Sequence, residues 1–189
     1  MHKSQLSPLI QIGKRLCYIC LTLLISFLLQ RFCYKKTDGF ALYKVLSSLT
    51  PNSAWQLPPL AEEEKKNLET LFDQPFYYLG KGAQAYVFAS EDGQSVIKFC
   101  RFDHLRPSLF FANCIFPFVY EKTRIEKMWQ KRGRLEMEFG SYKIAFEQMK
   151  EETGLIYLHL NKTYTFRNKK ITFYDKIGVA HKLDLDQME

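Results

Sequence analysis

Apolar positions along the 189-residue chain follow several rhythms, and each predicts a different element. Residues 16–29 carry no charge, and with Arg31 snorkelling the run extends to Tyr34, close to the ~20 residues that cross a bilayer core. Helical spacing follows at Phe40, Leu42, Tyr43, Leu46 and Leu49, until Pro51, Pro58 and Pro59 interrupt it. A short helix is expected over residues 60–72, where Glu62, Glu63 and Glu64 suit a first turn and Leu68, Leu71 and Phe72 share a face. Beyond Phe76 the period shortens to that of strands at residues 76–79, 85–90 and 96–102, the last two joined by an Asp92-Gly93 turn. In the third strand Ile97, Phe99 and Arg101 share one face and Val96, Lys98 and Cys100 the other.

An aromatic stretch comes next, with Phe110, Phe111, Phe116, Phe118 and Tyr120. Two helices are expected after it, over residues 120–131 and 134–153, the second with Leu135, Phe139, Tyr142, Phe146 and Met149 on one stripe. Residues 155–160 and 171–174 then read as two further strands, joined by a turn near residues 167–170. The expected fold is α+β: an N-terminal transmembrane helix followed by an antiparallel sheet with a large packing helix. Three regions result: residues 1–36 as tail and anchor (span about 16–34), 37–75 as a helical connector, and 76–189 as the folded domain.

Charge changes this picture in one respect. The net +7 resembles a nucleic-acid signal until it is located. Residues 1–61 hold seven bases and one acid, whereas residues 62–189 hold twenty bases and nineteen acids, so the folded region is almost neutral. Nucleic acid is therefore not an expected partner; a lipid bilayer is. For the apolar run an anchor competes with a secretory signal peptide and a buried helix. Gln30, Arg31, Phe32, Cys33 and Tyr34 supply bulky or charged residues where a cleavage site needs small ones, which favours the anchor. Bases near the run number three before it and four after it, so they leave orientation open. Cys17 and Cys20 lie in the run with no second pair or histidine beside them, and His2, His104, His159 and His181 have no metal-ligand spacing, so no metal site is expected.

The candidate chemistry lies in the first hairpin. Gly80, Lys81, Gly82, Ala83, Gln84 and Ala85 form a loop with two small-residue turns, Val87 follows, and Lys98 stands on the next strand. This stretch resembles the start of a protein-kinase small lobe: Gly80 and Gly82 match the first two glycines of the glycine-rich loop, Ala85 stands in place of the third, and Val87 and Lys98 match the valine and the strand lysine. The resemblance implies that the loop covers the phosphates of ATP, that Val87 packs on the base, and that Lys98 pairs with the phosphates and with a glutamate of the large helix. Glu138, bordering that helix's apolar stripe, is the choice for that glutamate. Forty residues separate it from Lys98, so a helical insertion is implied, with a lid, a membrane contact or a partner surface as its candidate roles.

Missing parts bound the expectation. The chain has neither a His-Arg-Asp catalytic loop nor an Asp-Phe-Gly metal motif, and residues 181–186, His-Lys-Leu-Asp-Leu-Asp, lack the downstream Asn and read as a solvated tail. The leading expectation is a membrane-anchored, single-pass, kinase-like small lobe facing the cytoplasm, truncated before a second lobe or completed by a separate chain. Such a pseudokinase-like lobe would bind ATP weakly and transfer no phosphate alone. The alternatives are a nucleotide-independent, membrane-tethered interaction module and the remnant of a small-molecule or sugar kinase.

Overall fold

The structure is a computed structural model that describes residues 8–46, 49–103 and 117–188. The chain divides into two compact units, Met1–Phe40 and Ala41–Glu189. The first contains helix α1, Pro8–Thr37, whose residues from Ile10 to Lys36 are all exposed. Its stretch Ile10–Thr37, within which the most apolar 18 residues have a mean hydropathy of 1.9, is long and apolar enough to span a membrane. The helix stops at Gly39, which takes φ +69° and donates its N–H to the Tyr34 carbonyl at 2.9 Å; a Cβ there would run into the Tyr34 ring.

The second unit opens with α2, Leu42–Val45, a 3₁₀ turn, Ser53–Trp55, and α3, Glu62–Leu71. Strands β1, Phe76–Lys81, β2, Ala85–Ser90, and β3, Val96–Cys100, follow as expected. Helices α4, Pro117–Gln148, and α5, Lys150–Thr153, precede β4, Lys170–Tyr174, β5, Ala180–Asp184, and a last 3₁₀ turn, Leu185–Gln187. The five strands lie in the order β3-β2-β1-β4-β5.

The fold corrects several expectations. The sheet is mixed, not antiparallel, because β4 joins β1 in parallel through Phe76 and Phe173. The 88 residues between β1 and β4, α4 among them, supply the long crossover a parallel pair requires. The two expected helices are one, α4, of 32 residues. Gly133 only weakens a helix, by roughly 1 kcal/mol, and no proline follows Pro117 to break it. Residues 155–160 form no strand; their alternation is used for packing, with Leu158 and Leu160 turned to the helical core and Tyr157 against Phe166. Of residues 181–186, expected as a solvated tail, the first four belong to β5, Ala180–Asp184. Asp175 builds the turn before it, its Oδ1 accepting from Ile177 N–H at 3.1 Å and Val179 N–H at 2.9 Å, with Gly178 at φ +82°. The aromatic residues Phe110, Phe111 and Phe116 lie outside the described residues.

Two cores hold this unit. Cross-strand pairing puts Tyr78, Tyr86, Phe88, Ile97, Phe99, Ile171, Phe173 and Leu183 on one face of the sheet. Phe99 on β3 and Phe173 on β4 are separated by two strands, which in a flat sheet would put them about 14 Å apart. Their rings lie 5.2 Å apart, so the sheet curls around this aromatic face. Phe88 fills the centre, 5.4 Å from Phe99 and 4.9 Å from Phe173. The second core joins α4 to the end of β3: Trp55, Phe102, Leu135, Phe139 and Leu160, with Trp55 edge-on to Phe139 at 4.9 Å.

Candidate functional site

The register places the hairpin residues in an ordered row. Gly80 is opposite Val87 across β1 and β2, after an irregularity at Leu79, and Val87 is opposite Lys98 across β2 and β3. Gly80, Val87 and Lys98 therefore share the sheet face turned away from the aromatic core, Val87 half-buried and Lys98 exposed. Lys81, Gly82, Ala83 and Gln84 form the exposed loop tip, which Gly82 N–H closes onto the Ala85 carbonyl at 2.8 Å.

One residue that sequence reasoning assigned only to a strand face governs this tip. Arg101 Nη1 donates to the carbonyls of Gly82 at 3.2 Å and Ala83 at 3.4 Å, and its own backbone N–H donates to the Gln84 carbonyl at 2.8 Å. Asp103 holds the guanidinium at 3.0 Å, over the Tyr86 ring. The loop is thus folded back through its carbonyls onto a cation already neutralised by a carboxylate. The signal in the sequence was position: Arg101 directly follows Cys100, which pairs with Ala85, so it must face the loop.

Helix α4 approaches the same end. Tyr142 donates its hydroxyl to Gln84 Oε1 at 3.4 Å, and its pKa is pushed up to about 12, first by burial and then by Cys100 and Glu138. Glu138 is half-buried one turn before Tyr142, so the structure brings loop, helix and the Cys100 end of β3 together. Among the described residues Lys98 and Glu138 form no ion pair. No group of metal-ligating side chains occurs among them either. Neither of the two clearest surface depressions contains the loop or Lys98; one is lined by Glu62, Glu63, Lys65, Lys66, Glu69 and Arg167, the other by residues of the first unit.

The most tightly built polar site is elsewhere, at the C-terminal residues expected to be solvated. Asp186 is fully buried: Oδ1 accepts Phe166 N–H at 3.0 Å and the Thr163 hydroxyl at 3.4 Å, and Oδ2 accepts Asn168 N–H at 2.9 Å. Arg167 and Asn168 have φ of 51° and 65°, a reversal whose N–H groups need an acceptor inside the fold, and Asp186 supplies it. His159 Nε2 lies 3.0 Å from the Thr163 hydroxyl, and burial holds its pKa below 6.5, against the opposing influence of Asp186. His181 Nε2 lies 2.9 Å from Asp175 Oδ2 and stacks on Phe173, while Asp184 Oδ1 caps Asp186 N–H at 3.0 Å. These groups support turns and sheet.

Compared with known proteins, the chain matches no family model, no curated protein and no solved structure.

Proposed function

We propose that this chain is a membrane-tethered interaction module: α1 is a single-pass anchor, and the unit from Ala41 onward is a docking domain held at the bilayer. The observation that carries the reading is α1 itself, exposed along Ile10 to Lys36, with a mean hydropathy of 1.9 over its most apolar 18 residues. Such a surface is costly in water and suited to hydrocarbon. The docking role draws support from the candidate grip, whose loop carbonyls are occupied by Arg101 and whose lysine lies on an exposed sheet face.

Alkaline carbonate extraction tests the anchor. The full chain should stay with membranes, and deletion of residues 1–36 should release it. Recovery of the intact protein in the soluble fraction overturns the anchor, and an N-terminus cleaved near Tyr34 replaces it with a signal peptide.

A second reading keeps the kinase-like lobe, facing the cytoplasm and completed by a separate chain or inactive alone. The alignment of Gly80, Val87 and Lys98 in one row favours it. In this reading ATP binds no tighter than about 0.1 mM, since only one side of a cleft is supplied. Titration of the full chain in nanodiscs with ATP decides between the two: saturation that Lys98→Met weakens about tenfold puts the second reading first.

A further inference from the structure

Among the described residues of the folded unit, the outward side of α4 carries four exposed large apolar side chains. Ile125, Trp129, Met137 and Ile144 are 44%, 67%, 68% and 53% exposed. At the helical repeat they fall within about 120° of arc, away from Leu135, Phe139 and Tyr142 on the packed side. Among the described side chains from Ile125 onward burial begins at Leu135: from Ile125 to Arg134 none is buried, and Lys131 alone is half-buried.

Its charge is distinctive. Residues 117–134 hold six bases and two acids, whereas the rest of residues 62–189 holds fourteen bases and seventeen acids. The near-neutral folded region is therefore sorted into a basic arm and an acidic body. Arg132 lies at one edge of the apolar arc and Arg134 beyond the other; within it are Glu126, Glu136, paired with Arg132 at 3.1 Å, and Glu147, paired with Lys143 at 3.9 Å. Burial and the neighbouring Arg134 and Lys127 lower the pKa of Lys131, a sign of how closely these bases are set.

We propose that this face of α4 lies on the anionic headgroup layer of the bilayer that receives α1, with Trp129 at the interface. An exposed apolar stripe alone would fit a second copy or another protein equally well. Bordering bases and a tryptophan select an anionic lipid surface, where each base contributes and the indole sits between acyl chain and water. The inference rests on reading α1 as an anchor, since the tether keeps the arm at a high effective concentration beside the membrane.

Fluorescence of the full chain tests it, because Trp129 is exposed and Trp55, the only other tryptophan, is buried. The Trp129 signal is the difference between wild type and Trp129→Phe. Protein is reconstituted into phosphatidylcholine vesicles with or without phosphatidylserine, and flotation confirms insertion. With phosphatidylserine, Trp129 emission should shift to the blue and acrylamide quenching fall about twofold, a change that high salt reverses. Arg132→Gln with Arg134→Gln should weaken the response about fivefold for each base removed. Protein that floats while Trp129 stays equally quenched in both vesicles overturns the proposal and leaves the anchor standing. Protein that does not float overturns both. A blue shift in detergent alone that grows with protein concentration assigns the face to a second copy and also overturns the proposal.

Discussion

The two flanks of the curled sheet carry opposite kinds of polar chemistry. On the β3 side the glycine loop and Lys98 look functional in sequence, yet Lys98 is exposed and the loop is folded back onto Arg101. On the β5 side Asp186 looks like tail, yet it is fully buried and accepts two backbone N–H groups. The contrast teaches that a motif announces residue types, whereas the energetic weight of a polar group depends on what it has been desolvated against. A buried carboxylate with its acceptor sites filled is strongly constrained, while an exposed ammonium contributes almost nothing to folding.

The first way to break the comparison is to remove what joins the flanks. Phe173 touches Phe88 and Phe99, so Phe173→Ala should cost about 4 kcal/mol and flatten the curl. Denaturant unfolding of the full chain in detergent micelles measures this, with Phe173→Leu as the milder companion expected to keep the fold. A loss as small as that of a surface substitution would show that the sheet does not close around this ring.

Asp186→Ala comes next, at about 3 kcal/mol, because it strands the N–H groups of Phe166 and Asn168 inside the fold. Asp186→Asn keeps an acceptor oxygen and should cost less. Equal unfolding midpoints for wild type and Asp186→Ala would place the carboxylate in water and erase the difference between the flanks.

Much of the β3 side was legible because its signals are local. Alternation in residues 85–90 and 96–102 and the Asp92-Gly93 turn gave both strands, and Gly93 indeed takes φ +69°. The β5 side was not, because its signals are relational. Nothing in the run from His181 to Asp186 shows that the chain turns at Asp175 and Gly178 to pair with β4, or that a reversal at Arg167 and Asn168 needs an acceptor. The parallel placement of β4 beside β1 is likewise a property of the crossover, which no local period records. In the candidate site the register of Gly80, Val87 and Lys98 was readable, and the grip of Arg101 on the loop carbonyls was not.

The pH response sharpens the contrast at a smaller scale. Burial lowers the folded-state pKa of His159 below its ordinary 6.5, so the unfolded chain binds the proton more readily. Stability on the β5 side should therefore fall as pH drops below about 6.5, and it should hold above that value. His159→Gln should flatten this part of the profile. A profile unchanged by the substitution would mean that His159 is as well solvated in the fold as out of it.

The smallest effect is expected at the residue that drew most notice in the sequence. Lys98 is exposed and joined to no carboxylate among the described residues, so Lys98→Met should move stability by no more than ~0.5 kcal/mol. The same variant discriminates function, because a stabilising role and a ligand-binding role predict different readouts. If the β3 side is a nucleotide grip, Lys98→Met leaves the unfolding midpoint in place while ATP binding by the full chain in nanodiscs falls about tenfold, the loss of one charge-assisted phosphate contact. If the domain only docks, ATP does not saturate either protein. A midpoint that drops by more than 1.5 kcal/mol would contradict both, since it would require Lys98 to hold a buried partner that an outward-facing strand position does not offer.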